Sequence, residues 1–241
     1  MINRRRFLIA IGAGVLIATA ALMPWKSFSY ESTGNSLQDK TEQKLDDSEP
    51  FSLHENIITT VFWVGEEADP NTNDNIHNIS SIWVEHWDDA YGGIDDPNDR
   101  CGFKPCGFEP KENAFYFALP FSEYGDGGLK PASELKVIPW YNEPLEDDES
   151  ILKNRWVKII YQDKTVYAQW EDSGPFGEDD AGYVFGMNEP KDSRAGLDIS
   201  PAAADYLGID GRGSSSWQFV EESEVPAGPW KEVITTSGPL W

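Results

Sequence analysis

The 241-residue sequence predicts an all-β domain with many short strands and one short helix. Short runs of β-branched and aromatic residues alternate with turn-forming clusters, which is typical of strands. Aromatic residues make up 13% of the chain, enough for a sizeable core. One segment alone carries a full set of helix start and stop signals. Many strands with one helix favour a barrel over a layered sandwich.

Eight segments have the composition of strands. They are residues 57–64, 79–86, 114–119, 136–141, 156–161, 164–170, 182–185 and 216–220. The fifth and sixth are separated by Gln162 and Asp163 alone, so they are predicted to form a hairpin. The helix is predicted over 201–207, because Ser200 suits the N-cap, Pro201 the first turn and Gly208 the position just past the end.

The first 26 residues predict an export signal or a signal anchor. Three arginines at 4–6 precede an apolar run over 7–23, in the order that such signals require. Paired arginines before Phe7-Leu8 resemble a twin-arginine signal. Ala18-Thr19-Ala20 offers a cleavage site, whereas the apolar run has the minimum length of a spanning helix. A cleaved form and a form anchored in the inner membrane by 7–23 both fit the sequence, and both predict a periplasmic or extracellular protein.

A polar, acidic tether is predicted over 27–55 and the folded domain over 56–241. The net charge of the chain is −23, and the first 26 residues contain no acidic residue, so the domain itself is strongly acidic. A field of this sign repels phosphates. Nucleic acid is therefore excluded as a partner, and contact with a membrane is expected through the N-terminal segment only.

The two cysteines, Cys101 and Cys106, enclose a short loop with a glycine and a proline. Outside the cytoplasm such a pair predicts a local disulfide. A metal site is not expected, because there is no second cysteine pair and the three histidines are scattered. No cofactor is expected either.

Two motifs carry a resemblance to a known family. Residues 172–176 read Asp-Ser-Gly-Pro-Phe, and residues 198–200 read Asp-Ile-Ser before a small-residue helix and Leu207-Gly208. In order and chemistry they resemble rare lipoprotein A, in which one strand ends in Asp-Arg-Gly-Pro-Phe and another in Asp-Leu-Ser. The resemblance covers about 165 to 225, with an insertion between 176 and 194. It implies a six-stranded double-psi β-barrel with extra strands and loops, and a short helix after Asp198.

The resemblance also implies candidate site residues. Residues 82–89 would form the first barrel strand and are similar to the start of the related barrel endoglucanases, whose aspartate serves as a base. Asp198 as acid and Asp88 as base, with Asp172 beside them, would form a catalytic groove. An aspartate before Ser-Gly-Pro also commonly hydrogen-bonds its own turn, so a structural role for Asp172 stays open. Trp83, Trp87 and Trp170 lie near the predicted groove strands and would be the residues that stack sugar rings, although most aromatic strand residues belong to the core.

The expected partner is a polysaccharide or peptidoglycan. If the protein is an enzyme, the resemblance implies a glycoside hydrolase or a lytic transglycosylase. Residues 117–120 contain no histidine, although rare lipoprotein A has one there. This departure keeps a second interpretation open, that of a non-catalytic carbohydrate-binding or structural envelope module, as in expansins.

Overall fold

The computed structural model describes residues 51–67, 78–125, 127–142, 144–146 and 148–240. Its strands are β1 (His54–Val61), β2 (Arg100–Cys101), β3 (Lys104–Pro105), β4 (Tyr116–Leu119), β5 (Tyr124–Gly125), β6 (Gly128–Leu129), β7 (Trp156–Tyr161), β8 (Lys164–Ser173), β9 (Leu197–Ile199) and β10 (Arg212–Val220). Its helices are α1 (Trp87–Tyr91), α2 (Ala132–Leu135), α3 (Ala181–Val184) and α4 (Pro201–Leu207), with 3-10 turns at Glu222–Glu224 and Pro229–Lys231.

Six strands close into a barrel in the order β1-β10-β7-β8-β4-β9. The β1–β9 and β4–β8 pairs are parallel and the other ladders are antiparallel, so the barrel is mixed. The predicted all-β class is confirmed, with a closed six-stranded barrel and a few short helices. The connectivity is compatible with a double-psi barrel.

Local signals predicted the β7–β8 hairpin and α4 well. β7 has the predicted bounds, and β8 extends three residues beyond its predicted end. At the start of α4, Ser200 Oγ accepts a hydrogen bond from Ala203 N at 3.2 Å, and Gly208 ends the helix in a left-handed conformation. This Ser-Pro start and glycine stop are the features that the sequence displays.

Three predicted strands are wrong. Residues 79–86 form no strand, and 82–89 are not the first barrel strand, because β1 takes that place and Val84 makes one isolated bridge to Leu240 before α1 begins. Residues 136–141 lie in turns after α2, and residues 182–185 overlap α3. Trp87 and Tyr91 are buried at a spacing of four, which is a helical spacing. The apolar residues of these segments cover the barrel from outside, so their composition reflects burial and not strand pairing.

The predicted export signal at 1–26 and the tether as far as residue 50 lie outside the described residues. The predicted end of the tether at 55 falls inside β1, which begins at His54. Of the helices in the described part of the chain, none has the length and apolar character needed to cross a membrane. Cys101 and Cys106 form a disulfide across the β2–β3 hairpin.

Replacing the α4 cap should destabilise the barrel. Ser200 is fully buried, and its Oγ also accepts a hydrogen bond from Tyr116 N in β4 at 3.3 Å. Ser200→Ala would leave both amides without this acceptor, so we expect the free energy of unfolding to fall by about 1–3 kcal/mol. Urea unfolding measures it, with exposed Ser193→Ala as the control. Equal stabilities of the two variants would contradict this role of Ser200.

Candidate functional site

A row of side chains crosses four neighbouring strands on one face of the barrel sheet. Thr60 in β1 pairs with Asp198 in β9, Asp198 pairs with Ala118 in β4, and Ala118 pairs with Asp172 in β8. Residues directly opposite in a ladder point to the same side. Asp172 and Asp198 therefore flank the small Ala118 on one face. With neighbouring strands about 4.8 Å apart, their backbones are separated by at most about 10 Å.

A β-bulge brings Asp172 onto this face. Phe117 pairs with Trp170, but the next residue, Ala118, pairs with Asp172, so Glu171 is the extra residue of the bulge. Phe117 and Trp170 are fully buried in the core. Regular alternation would turn Asp172 to the same side as Trp170. The inserted residue reverses this and turns Asp172 toward the face that carries Asp198.

The carboxylate of Asp172 is almost buried and is held by the backbone. Its Oδ1 accepts hydrogen bonds from Ile82 N at 2.9 Å and from Ser173 N at 2.8 Å. Both bonds end on Oδ1, which leaves Oδ2 for a proton or a ligand. The pKa of Asp172 is raised from 3.8 to about 7. Burial is the largest cause, and the charges of Asp198 and Glu178 contribute to the rise. Asp172 therefore titrates near neutral pH.

Asp198 is partly exposed and accepts a hydrogen bond from Thr60 Oγ1. Burial raises its pKa from 3.8 to about 6, against the opposing effect of the Thr60 bond. A Cβ placed on Gly174 would lie 3.8 Å from Asp198 Oδ2. The turn that follows Asp172 therefore comes close to the Asp198 carboxylate, and the two motifs singled out in the sequence meet at one site.

A further acid, Glu66, has a pKa that responds to the charge of Asp198, and no motif in the sequence singles it out. It follows the end of β1 and accepts a hydrogen bond from Asn78 Nδ2 at 3.0 Å. Burial raises its pKa from 4.5 to about 7, and the charge of Asp198 contributes to the rise. Glu66 lies just past β1, the strand that pairs with β9, and this position is what connects it to Asp198. The pairing joins distant parts of the chain, so it could not be recognised in the sequence.

This arrangement suits proton transfer near neutral pH. Asp198 has the lowest pKa of the three acids, and its charge raises the pKa of both Asp172 and Glu66. With pKa values of about 7 and about 6, the Asp172–Asp198 pair titrates as a unit near neutral pH and can hold a single proton. Two carboxyl groups whose environments push their pKa values apart can act as a base and an acid.

Asp88 and the three tryptophans occupy other positions than those expected. Asp88 lies in the first turn of α1, and it is absent from the charges that raise the pKa of Asp172. Trp83, Trp87 and Trp170 are at most 1% exposed, so they are core residues and offer no open ring face to a sugar. Their aromatic surface is buried between the barrel and the segments that cover it.

Within the described residues, no three His, Cys, Asp or Glu side chains are arranged to hold a metal ion. His54 is buried and stacked on Trp217, with ring centroids 4.1 Å apart, and burial lowers its pKa to about 4. It therefore stays neutral and packs in the core. His86 is exposed next to α1.

No protein-family model matches this sequence, and no curated protein is significantly similar to it.

Asp172→Asn should change how stability depends on pH. The unfolded chain releases this proton near pH 3.8 and the folded chain near 7, so the Asp172 contribution to stability falls as the pH rises between those values. An asparagine still accepts the two backbone hydrogen bonds. We expect the variant to equal the wild type at pH 4 and to exceed it by about 2–4 kcal/mol at pH 8.

Denaturant unfolding at both pH values measures this difference, with exposed Asp89→Asn as the control. If Asp172→Asn is less stable than the wild type at pH 8, the carboxylate is ionised and stabilising in the fold, and the raised pKa is wrong.

The ion pair of the bulge residue, Glu171, leads to a separate prediction for stability. Lys153 Nζ lies 2.6 Å from Glu171 Oε2, and both side chains are at most 2% exposed. Burial raises the pKa of Glu171 to about 7, against the charge of Lys153. Lys153→Met should therefore lower the free energy of unfolding by about 3–5 kcal/mol at pH 8, and by less at pH 5, where Glu171 is protonated.

Chemical unfolding at the two pH values checks this expectation. The double variant Lys153→Met/Glu171→Gln should recover most of the loss at pH 8, because it removes the uncompensated charge. A double variant no more stable than Lys153→Met would show that the charge of Glu171 is not the cause.

Proposed function

We propose that this chain is an exported cell-envelope protein whose barrel, of the rare lipoprotein A-like double-psi type, binds a polysaccharide such as peptidoglycan and cleaves it. The observation that carries the proposal is the position of Asp172 and Asp198 on one face, on either side of Ala118. Their pKa values of about 7 and about 6 support it, because one carboxyl can hold a proton while the other is ionised.

In this mechanism Asp172 is the acid and Asp198 the base. Asp172 Oδ2 donates its proton to the glycosidic oxygen as the bond to the sugar carbon breaks. Asp198 takes a proton from the attacking oxygen, which belongs to water in a hydrolase or to a hydroxyl of the same sugar chain in a transglycosylase. These roles differ from the sequence expectation, in which Asp198 was the acid and Asp88 the base.

Glu66 is a further group that can bind or release a proton near neutral pH. Its pKa of about 7 lets it exchange a proton in the same pH range, and its charge is coupled to that of Asp198. We assign it a positioning role, since it sets the charge around Asp198.

The location follows from the N-terminal sequence. A twin-arginine-like signal at 1–26 directs the protein to the periplasm or the cell exterior. A tether that starts at 27 and ends before β1 lets the barrel reach the wall while 7–23 hold it at the inner membrane, if the signal is not cleaved. The acidic domain is repelled by anionic lipid and nucleic acid, so its partner is the glycan and not the membrane surface.

The second candidate is a non-catalytic binding module. Two observations favour it: residues 117–120 contain no histidine, and Asp172 Oδ1 accepts the bond from Ser173 N that a structural turn aspartate would accept. In this case Asp172 would organise the loops, and the groove would bind glycan without changing it.

Activity of the purified full-length protein on peptidoglycan sacculi and β-glucans separates the candidates. Asp172→Asn and Asp198→Asn should each lower the release of soluble product at least about 100-fold, because each removes an acid or base. Asp88→Asn is the matched control and should keep wild-type activity. The rate should peak between the pKa values of about 6 and about 7.

Two outcomes would contradict catalysis by this pair. One is binding of sacculi by the wild type without any product, which is the result expected of the non-catalytic module. The other is full activity in Asp172→Asn and Asp198→Asn with loss in Asp88→Asn, which would move the site to α1.

A further inference from the structure

A cavity of about 260 Å³ is lined by Pro175, three residues after Asp172 in the chain. Its walls come from the loop that leaves β8 and the loop that enters β9, the two strands that carry Asp172 and Asp198. Phe176 and Glu178 line it from the first loop, and Pro190 and Ala195 from the second. Gly174 precedes Pro175 of this wall, and a Cβ placed on it would lie 3.8 Å from Asp198 Oδ2, so this end of the wall comes close to Asp198.

A second cavity of about 330 Å³ extends this space along the barrel. Pro190, Asp192 and Ala195 line both cavities, so the two adjoin. The second reaches residues 56–58 of β1. The segment that leads into β9 is thus a wall of both cavities, and the two together are called the cleft.

Phe176 is an exposed aromatic residue in this cleft. Its side chain is 40% exposed, and its backbone has a φ of 57°, a left-handed value that is costly for a bulky residue. The Arg194 guanidinium lies 3.6 Å from the ring centre, and Asp192 holds that guanidinium through a 2.9 Å ion pair. An exposed ring kept in a strained conformation by its neighbours points to a function for the ring.

The surrounding loops hold this wall in place. Asp180 N donates to Pro120 O at 2.7 Å, and Ser122 N donates to Glu178 O at 3.1 Å. Lys191 N donates to Asp180 Oδ2 at 2.7 Å, which ties the second loop to the first. The cleft is thus formed by backbone-anchored segments, and its shape is set before a ligand binds.

The charge of the cleft restricts its ligand. Acidic residues that line the two cavities are Glu55, Glu178, Asp179, Asp180, Glu189 and Asp192. Lys191 is the basic residue that lines them, and its Nζ lies 3.8 Å from Asp180 Oδ1. The Arg194 guanidinium over the Phe176 ring is a second cation, and its Nη2 lies 2.9 Å from Asp192 Oδ2. Both cations are therefore paired with acids of the cleft, which keeps its net charge negative. A polyanionic chain would be repelled here, whereas sugar hydroxyls could donate hydrogen bonds to these carboxylates.

We propose that Phe176 forms a sugar-binding subsite that stacks an uncharged pyranose ring of the glycan next to Asp172 and Asp198. The inference rests on the proposed function and deepens it, because it names the subsite and the charge class of the substrate. The C–H face of the sugar packs on the aromatic ring, and its hydroxyls bond to the carboxylates of the cleft. Neutral N-acetylated glycans fit this cleft, and uronate polymers do not.

The test measures binding by calorimetry to full-length protein carrying Asp198→Asn, so that the glycan stays intact. The probes are N-acetylated chitooligosaccharides and oligogalacturonates of equal length. Phe176→Tyr should bind the neutral probe as the parent does, and Phe176→Leu should bind it about fivefold more weakly or worse. The matched control is Met187→Leu, which is 73% exposed and should change nothing. The anionic probe should bind at least about tenfold more weakly than the neutral one.

A further variant serves as a control for loss of folding. If Phe176→Leu lowers the thermal midpoint, Phe176→Gly replaces it, because glycine adopts the positive φ without strain and should fold. Loss of binding in that folded variant supports the subsite. Unchanged binding in either folded variant, or equal binding of the two probes, overturns this inference and leaves the proposed function standing. Failure of the parent and the wild type to bind any glycan overturns the proposed function itself.

Discussion

The β-bulge at Glu171 is the constraint on which the candidate site depends. It reverses the alternation of β8 after Trp170, so that Asp172 shares a face with Asp198 and Glu171 turns away to Lys153. Glu112 completes this buried cluster, with its Oε1 4.0 Å from the lysine Nζ. Breaking such a buried pair is costly, so the cluster discourages a register without the bulge. The Lys153–Glu171 ion pair thus helps to set the orientation of Asp172, which is not itself part of the pair.

Other buried acidic side chains of this domain also have structural roles. Trp83 Nε1 donates to Glu123 at 3.1 Å, and Trp87 Nε1 donates to Glu112 at the same distance. These bonds hold the segment around 82–89 against the barrel, and that segment supplies the Ile82 amide that binds Asp172. Indole donors are satisfied by carboxylates, which is what burial of large aromatic residues requires. Part of the acidic composition therefore serves folding, and the three tryptophans anchor the site without facing it.

What could be predicted from the sequence was what depends on local signals. The β7–β8 hairpin, the Ser200 cap of α4 and the motifs around Asp172 and Asp198 are each written in a few consecutive residues. The position of residues 82–89 outside the barrel could not be predicted, because the same apolar composition suits a strand or a covering segment. Glu66 was missed because it joins the site through the parallel β1–β9 pairing, a contact between residues more than a hundred apart.

The three site acids behave as one unit, because Asp198 is the shared charge that raises the pKa of its two neighbours. Burial is the largest cause of each raised pKa, so a ligand that excludes water raises all three further. The pH above which Asp198 is ionised and can act as a base therefore rises together with that of Asp172. An uncharged sugar does this without adding a charge of its own. Binding would then keep Asp172 protonated up to a higher pH, which is the form that a general acid needs. In the proposed subsite, sugar binding at Phe176 would thus shift the titration of both carboxyl groups toward higher pH.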